Sequence, residues 1–221
     1  MYKTTELFDL THTLAGQFLA KLEYPWEALA CIGDWIRMIG MELDKDEYTW
    51  DGKDIWIAKD AVIFPNNYIA GPCIIGHGTE VRPGAFVRGN ALVGDQCVVG
   101  NSTELKNVIL FDHVQVPHYN YVGDSILGFK SHMGAGSITS NVKSDKKTVV
   151  IRCGEEMIET GLKKVGAMVG DGVEIGCNSV LNPGTIIGRE SQVYPTSCVR
   201  GTIPERHIWK EKKQVVAKRE E

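Results

Sequence analysis

Residues 75–100 read IGHGTEVRPGAFVRGNALVGDQCVVG, and this stretch decides the fold. An aliphatic residue stands at every sixth position, at Ile75, Val81, Val87, Val93 and Val99. The same phase extends backwards through Ile69, Ile63 and Ile57 and forwards through Leu105 and Phe111. Gly often follows the aliphatic, and the residue four positions after it is usually small, as at Cys73, Thr79, Ala85, Ala91, Cys97 and Thr103. A period of six fits neither an amphipathic helix nor a two-residue strand alternation. It fits a parallel β-helix, in which each hexad is one short strand plus a turn and three hexads close one coil. The aliphatic stacks inward on its equivalent in the next coil, the small residue fits the crowded corner, and Gly frees the corner backbone. The phase slips by one at Val122-Gly123 and Leu127-Gly128, resumes at Met133-Gly134, and returns at Val169, Ile175, Leu181, Ile187, Val193 and Val199.

Outside the repeat the pattern changes. Residues 1–47 read as helical: Leu7, Leu10, Leu14, Phe18 and Leu22 share one face, and Pro25 opens a second helix carrying Trp26, Leu29, Ile32 and Ile36. This region is expected to cap the first coil or to contact a partner. Asp51-Gly52 marks a hairpin. Residues 143–166 break the hexads, with two strands around Cys153-Gly154-Glu155-Glu156 forming an arm that leaves the solenoid. The expected division is a helical region at 1–47, a β-helix domain at 48–204 and a charged tail at 205–221 that is helical from Trp209. Open solenoid ends need such covers.

The chain has 221 residues and a formal net charge of -4, with 43% hydrophobic and 24% charged residues. That composition is globular, not disordered. The charge gives no basic field for nucleic acid. No apolar run approaches the ~18 residues of a membrane span, and residues 1–6 lack the features of a signal peptide. Six Cys without CxxC spacing point to reduced thiols and a cytoplasmic location.

Polar and chargeable residues concentrate near the phase slip. With 18 residues per coil, Arg88 and Lys106 stack on one face, an arrangement suited to phosphate, with Arg as a fork and Lys as a point charge. His118 is the candidate general base, because imidazole changes protonation near neutral pH. Glu104, Tyr121 and Asn141 surround it in the polar stretch. Cys73 and Cys97 fill inward slots as packing residues, and neither Cys97 nor Cys177 is needed as a nucleophile.

The segments GNSTELKN, PHYNYVGDSI, GAGSITSN and TGLKKVGAMVGD, at residues 100–107, 117–126, 134–141 and 160–171, resemble the acetyltransferase half of bacterial bifunctional N-acetylglucosamine-1-phosphate uridyltransferase. They resemble still more closely the archaeal sugar-1-phosphate nucleotidylyltransferases that carry a C-terminal amino-sugar acetyltransferase domain. The resemblance covers about residues 55–204, and PWEAL at 25–29 is similar to the archaeal linker. It implies a left-handed helix, a homotrimer and acetyl-CoA bound between subunits. It implies His118 as catalytic base, Asn141 as the residue orienting the acceptor nitrogen, Lys106 and Tyr121 as sugar-phosphate ligands, Lys147 as a phosphate contact from a neighbouring subunit, and Glu104 in the acceptor pocket. The RPG wording selects Arg82 as a further phosphate ligand, whereas the 18-residue stacking selects Arg88. His132 stands where the bacterial family has an acceptor-binding Asn, and Cys177 where it has a Ser beside the thioester carbonyl. A backbone N–H near Gly176-Cys177 is the candidate oxyanion donor.

The expected activity is acetyl-CoA-dependent N-acetylation of a hexosamine 1-phosphate, glucosamine 1-phosphate first and galactosamine 1-phosphate second, in nucleotide-sugar biosynthesis. Nothing matches the Gly-rich LxxGxGTR-type segment of the nucleotidyltransferase half, so uridyl transfer by this chain is not expected, and a separate nucleotidyltransferase is a possible partner. Two alternatives stand beside this reading. One is a trimeric zinc carbonic anhydrase using His77, His113 and His118. The other is a non-catalytic trimer that binds sugar phosphate.

Overall fold

A computed structural model of the chain describes residues 1–210. The hexads build a parallel β-solenoid with three faces. The first face stacks Ile55–Ala58, Cys73–Ile75, Ala91–Val93, then residues 108–110 and 125–127, then Ala167–Val169, Thr185–Ile187 and Thr202–Ile203. The second runs from Val62–Ile63 through Glu80–Val81, Val98–Asn101, Gln115–His118, His132–Met133, Glu174–Ile175 and Gln192–Val193 to Ile208–Trp209. The third stacks Tyr68–Ile69, Phe86–Val87, residues 104–105 and 121–122, then Ile138–Thr139, Val180–Leu181 and Cys198–Val199. The inward aliphatics Val81, Val99, Val116, Leu105 and Val122 have no solvent exposure.

The coil length is 18 residues at Cys73↔Ala91 and Val81↔Val99. It drops to 17 where Ala91 meets Val108, because two residues, not three, turn the corner between Leu105 and Val108. The same short corner recurs between Val122 and Ser125. The first slip thus lies at Lys106-Asn107, one coil before the expected place. The hexad phase hides this because Phe111, in phase with Leu105, is itself fully buried at the next corner.

The corner glycines act differently from the expectation. Gly76, Gly94, Gly100, Gly134 and Gly176 do not have positive φ. They are Gly because a Cβ would strike the backbone of the next coil, as at Gly100 against Pro117. Positive φ falls two residues later, on Gly78, Gln96, Ser102, Gly136 and Asn178. Each corner is therefore a turn whose third residue is left-handed, as in a type II turn.

The N-terminal region covers the first face. There even the outward residues are apolar and buried: Trp56, Ile74, Leu92, Ile109, Ile126, Met168 and Ile186 are at most 4% exposed. The stripe packs into one core with Leu7, Phe8, Leu19, Trp26, Leu29, Ile32 and Ile36. The helix Ile32–Glu42 crosses the strands Cys73–Ile75, Ala91–Val93 and Glu104–Leu110. The expected first helix is broken into Thr4–Leu7, Leu10–His12 and Gly16–Leu19, and Leu14 is 40% exposed. Its backbone serves the solenoid instead: the carbonyls of Leu7 and His12 accept the N–H groups of Asp171 and Asp112. The Tyr2 side-chain hydroxyl accepts the N–H of Glu205. The region is a lengthwise strap. The edge of the first coil is closed by Tyr48–Trp50, paired antiparallel to Ile55–Ala58 across the Asp51-Gly52 turn. Leu92→Ala opens a cavity between strap and face, and a loss of about 2–5 kcal/mol is expected in urea unfolding.

The arm is a hairpin, Val150–Cys153 with Glu156–Glu159. It does not leave the solenoid. Val149 and Ile151 are fully buried, the hairpin lies against Thr185–Ile187 and Thr202–Ile203, and the Thr202 hydroxyl donates to the Arg152 carbonyl. The start of the expected tail is also part of the solenoid, since Ile208–Trp209 pairs with Gln192–Val193. The rest of the expected charged helix, 211–221, lies outside the described residues.

Candidate active site

Two corners flank the third face, and the polar residues divide between them. The corner from third face to first carries the column Arg88, Lys106, Gly123, Ser140, Asn182 and Arg200, fixed by the register of the residues just before them. Arg88 and Lys106 do stack. Arg82 does not join them: it lies at the other corner and pairs with Glu80 at 3.1 Å.

The stacked cations hold carboxylates. Arg88 Nη1 donates to Glu104 Oε1 at 2.7 Å, and this bond raises the guanidinium pKa. Lys106 Nζ donates to both oxygens of Asp124, at 2.9 and 3.0 Å. Asp124 is 3% exposed, and it also accepts from the Asn107 and Asn141 amides. The Asn141 Nδ2 reaches the Tyr121 hydroxyl as well, at 3.1 Å. Burial, followed by the Asp124 charge, holds the Tyr121 phenol above its usual value of 10. Gly123 makes room for that ring, because a Cβ there would collide with the Tyr121 hydroxyl. Lys106, Asp124, Asn141 and Tyr121 form one network across three successive coils, and the ammonium keeps its third N–H for a ligand. Asp124 was not singled out by sequence reasoning. The short corner hides it: Gly123, not Asp124, stacks on Lys106, and Asp124 is the next residue along.

His118 sits at the other corner, in the column Pro83, Asn101, His118, Ala135, Cys177 and Pro195. Successive bonds trace this column: Tyr119 N–H to Asn101 O, Gly136 N–H to His118 O, Asn178 N–H to Ala135 O, and Thr196 N–H to Cys177 O. These are second positions of type II turns, where the N–H points outward and Pro is well suited. Pro83 and Pro195 occupy the position in other coils. The His118 N–H is held by Asn120 Oδ1 at 3.1 Å, while its imidazole is exposed and has no protein partner among the described residues. Tyr119 beside it has φ 51°, an uncommon conformation for a bulky residue that turns its ring outward. The N–H groups of Ala135 and Cys177 have no partner among the described residues. At the strap-covered corner the equivalent N–H groups of Asp112 and Asp171 are all taken. The Gly176 N–H is bonded to Val193 O, so of the expected pair the open donor is that of Cys177.

A cleft of about 320 Å³ along this corner is lined by His132, Gly134, Gly176, Cys177 and Tyr194. His132 Nδ1 lies 2.8 Å from Glu174 Oε2. Lys147 is exposed, its N–H bound by Asp145, and it makes no contact with the Lys106 network. The proposed zinc ligands do not converge within the chain. His77 and His113 lie at the strap-covered corner two coils apart, and His77 pairs with Asp60 at 2.9 Å, whereas His118 is at the next corner. Among the described residues no three His, Cys, Asp or Glu side chains are placed to hold a metal ion, and no helix is long and apolar enough to cross a membrane.

The cysteines fall into two groups. Burial pushes the Cys73 thiol up to about 12 and the Cys97 thiol higher still, whereas Cys177 is exposed. In a thiol-reagent titration of the folded protein, Cys177 should label while Cys73 and Cys97 stay inert until unfolding. Labelling of Cys97 in the native state contradicts its packing role.

Repeat and architecture make this a hexapeptide-repeat β-helix protein. The family described as the GMPPB C-terminal domain matches residues 69–158. The chain is 33% identical over 199 residues to the bifunctional protein GlmU of Methanococcus maripaludis, covering 89% of this chain and 48% of that protein. It is 34% identical over 159 residues to a bifunctional sugar-1-phosphate nucleotidylyltransferase/acetyltransferase of Sulfurisphaera tokodaii, covering 72% of this chain and 39% of that one. A solved structure of a putative acetyltransferase from Bacillus cereus matches with a TM-score of 0.40 and 20% identity over 72% of this chain and 74% of that chain. The chain spans about a third to a half of the length of the curated relatives it matches.

Proposed function

We propose that this chain transfers the acetyl group of acetyl-CoA to the amino group of a hexosamine 1-phosphate, with glucosamine 1-phosphate the first choice and galactosamine 1-phosphate the second. The observation that carries the reading is the His118 column: an imidazole without a protein partner, followed along one corner by two open backbone N–H groups. His118 accepts a proton from the sugar ammonium and frees its lone pair. The nitrogen forms its bond to the acetyl carbonyl carbon, the carbon–sulfur bond breaks, the nitrogen's second proton passes to the leaving sulfur, and the thiol departs without any covalent bond to the enzyme. The open Cys177 N–H, or that of Ala135 one coil nearer, meets the charge that develops on the carbonyl oxygen. Arg88 and Lys106 hold the phosphate at the opposite corner, Tyr121 and Asn141 bridge the face between them, and Glu104 keeps Arg88 in place.

In a trimer, Lys147 would reach the phosphate on a neighbouring subunit and His132 would face the acceptor. The similarity to bifunctional relatives supports this assembly, a cytoplasmic setting and a nucleotidyltransferase working on the product. Release of CoA thiol, followed with a panel of amino-sugar phosphates and free amino sugars, tests the reading. Turnover should require both the amine and the phosphate. Equal turnover with unphosphorylated glucosamine rules out the role given to Arg88 and Lys106.

A further inference from the structure

Seven arginines lie among the described residues, and five of them hold a carboxylate: Arg37, Arg82, Arg88, Arg189 and Arg206. The other two, Arg152 and Arg200, line the same cleft, a space of about 430 Å³ between the arm and the last coils. Arg152 Nη1 touches only the Met157 sulfur, a weak acceptor. Lys143 also lines the cleft and pairs at 3.3 Å with Asp145, the one acid among the lining residues. The lining thus carries three cations against one anion, in a chain whose net charge is -4. Arg200 stands in the same corner column as Lys106 but four coils further on, about 19 Å away at ~4.8 Å per coil. The cleft is therefore not the phosphate grip described above.

We propose that this cleft binds a nucleoside diphosphate. Guanidinium forks match the paired oxygens of phosphate groups, and two forks plus an ammonium match a diphosphate better than a single phosphate. The volume exceeds what an inorganic phosphate fills and lies within the range of small-molecule sites. The Ser140 hydroxyl and the Asn182 Oδ1 on the cleft wall supply neutral hydrogen-bonding groups for the ribose or base; the Asn182 Nδ2 is held by Val199 O and Cys198 Sγ. The same chemistry has two sources: the adenosine diphosphate end of CoA, and the nucleotide of a nucleotide sugar.

Calorimetric titration of the full chain with UDP, ADP, CoA and inorganic phosphate tests the site. At least one nucleotide should bind at least tenfold more tightly than phosphate. Arg152→Ala and Arg200→Ala should each weaken that binding tenfold or more, with Arg200→Lys restoring part of it and thermal melts unchanged. UDP binding that CoA displaces assigns the cleft to the donor's ADP end; UDP binding beside saturating CoA assigns it to a nucleotide sugar. Absence of nucleotide binding, or affinity unchanged in both alanine variants, overturns the proposal. Because the readout is binding and neither Arg belongs to the His118 site, failure here is distinct from failure of the proposed acetyl transfer.

Discussion

Replacing His118 by Ala should lower acetyl transfer to a hexosamine 1-phosphate by about two to four orders of magnitude, the range for removing a positioned general base. The fold should not notice. The side chain is exposed, and the bond that sets the turn, from the His118 N–H to Asn120 Oδ1, uses only the backbone of His118. Thermal midpoints of variant and parent should coincide. The loss should fall mainly on kcat, since Arg88 and Lys106, the proposed phosphate ligands, stand at the other corner. A His118→Ala protein that retains near-normal turnover removes the imidazole from the chemistry, and a large rise in KM with kcat intact makes it a binding residue.

Asp124→Ala should cost both stability and activity. Asp124 is 3% exposed and accepts from the Lys106 ammonium and from the Asn107 and Asn141 amides. Removing one partner of a buried ion pair strands the other, at about 3–5 kcal/mol. The lower end is expected, because Lys106 is 27% exposed and reaches water on one side. Urea unfolding measures this. Asp124→Asn keeps the shape without the charge and should lose less. In both variants KM for the sugar phosphate should rise, because Lys106 and Asn141 lose the group that aims them. An Asp124→Ala protein as stable as the parent means that the network is not a structural unit.

The architecture was legible because hexad periodicity is a backbone property: Val81, Val87, Val93 and Val99 announce the coil directly. The strap was not. Ile74, Leu92, Ile109 and Ile126 stand immediately beside the repeat aliphatics or within the slipped phase, so they merge into the core signal. A face buried on both sides reads as a continuous apolar run, and the first face is such a face. The N-terminal helices were misread because Leu7, Leu10 and Leu14 follow helical spacing, while the backbone around them bonds to the solenoid corners instead.

The candidate site residues Lys106, Tyr121, His118 and Asn141 stand out in the sequence because their motifs carry a resemblance. Their spatial grouping does not: Tyr121 and Asn141 join Lys106 through Asp124, not His118. Carboxylate partners such as Asp124 and Glu104 depend on which residues stack, and the one-residue deletion at Lys106-Asn107 changes the stacking from that coil onward. Arg88 and Lys106 lie before the short corner, so their stacking follows from the 18-residue spacing alone, and the same register puts Arg82 on a different corner.

The most direct measurement is identification of the product made from isotopically labelled acetyl-CoA and glucosamine 1-phosphate or galactosamine 1-phosphate, by NMR. The account predicts label in an amide at the sugar nitrogen, formed in step with CoA release, by the parent protein and not by His118→Ala. Free labelled acetate as the sole product, or label on a hydroxyl, would contradict it.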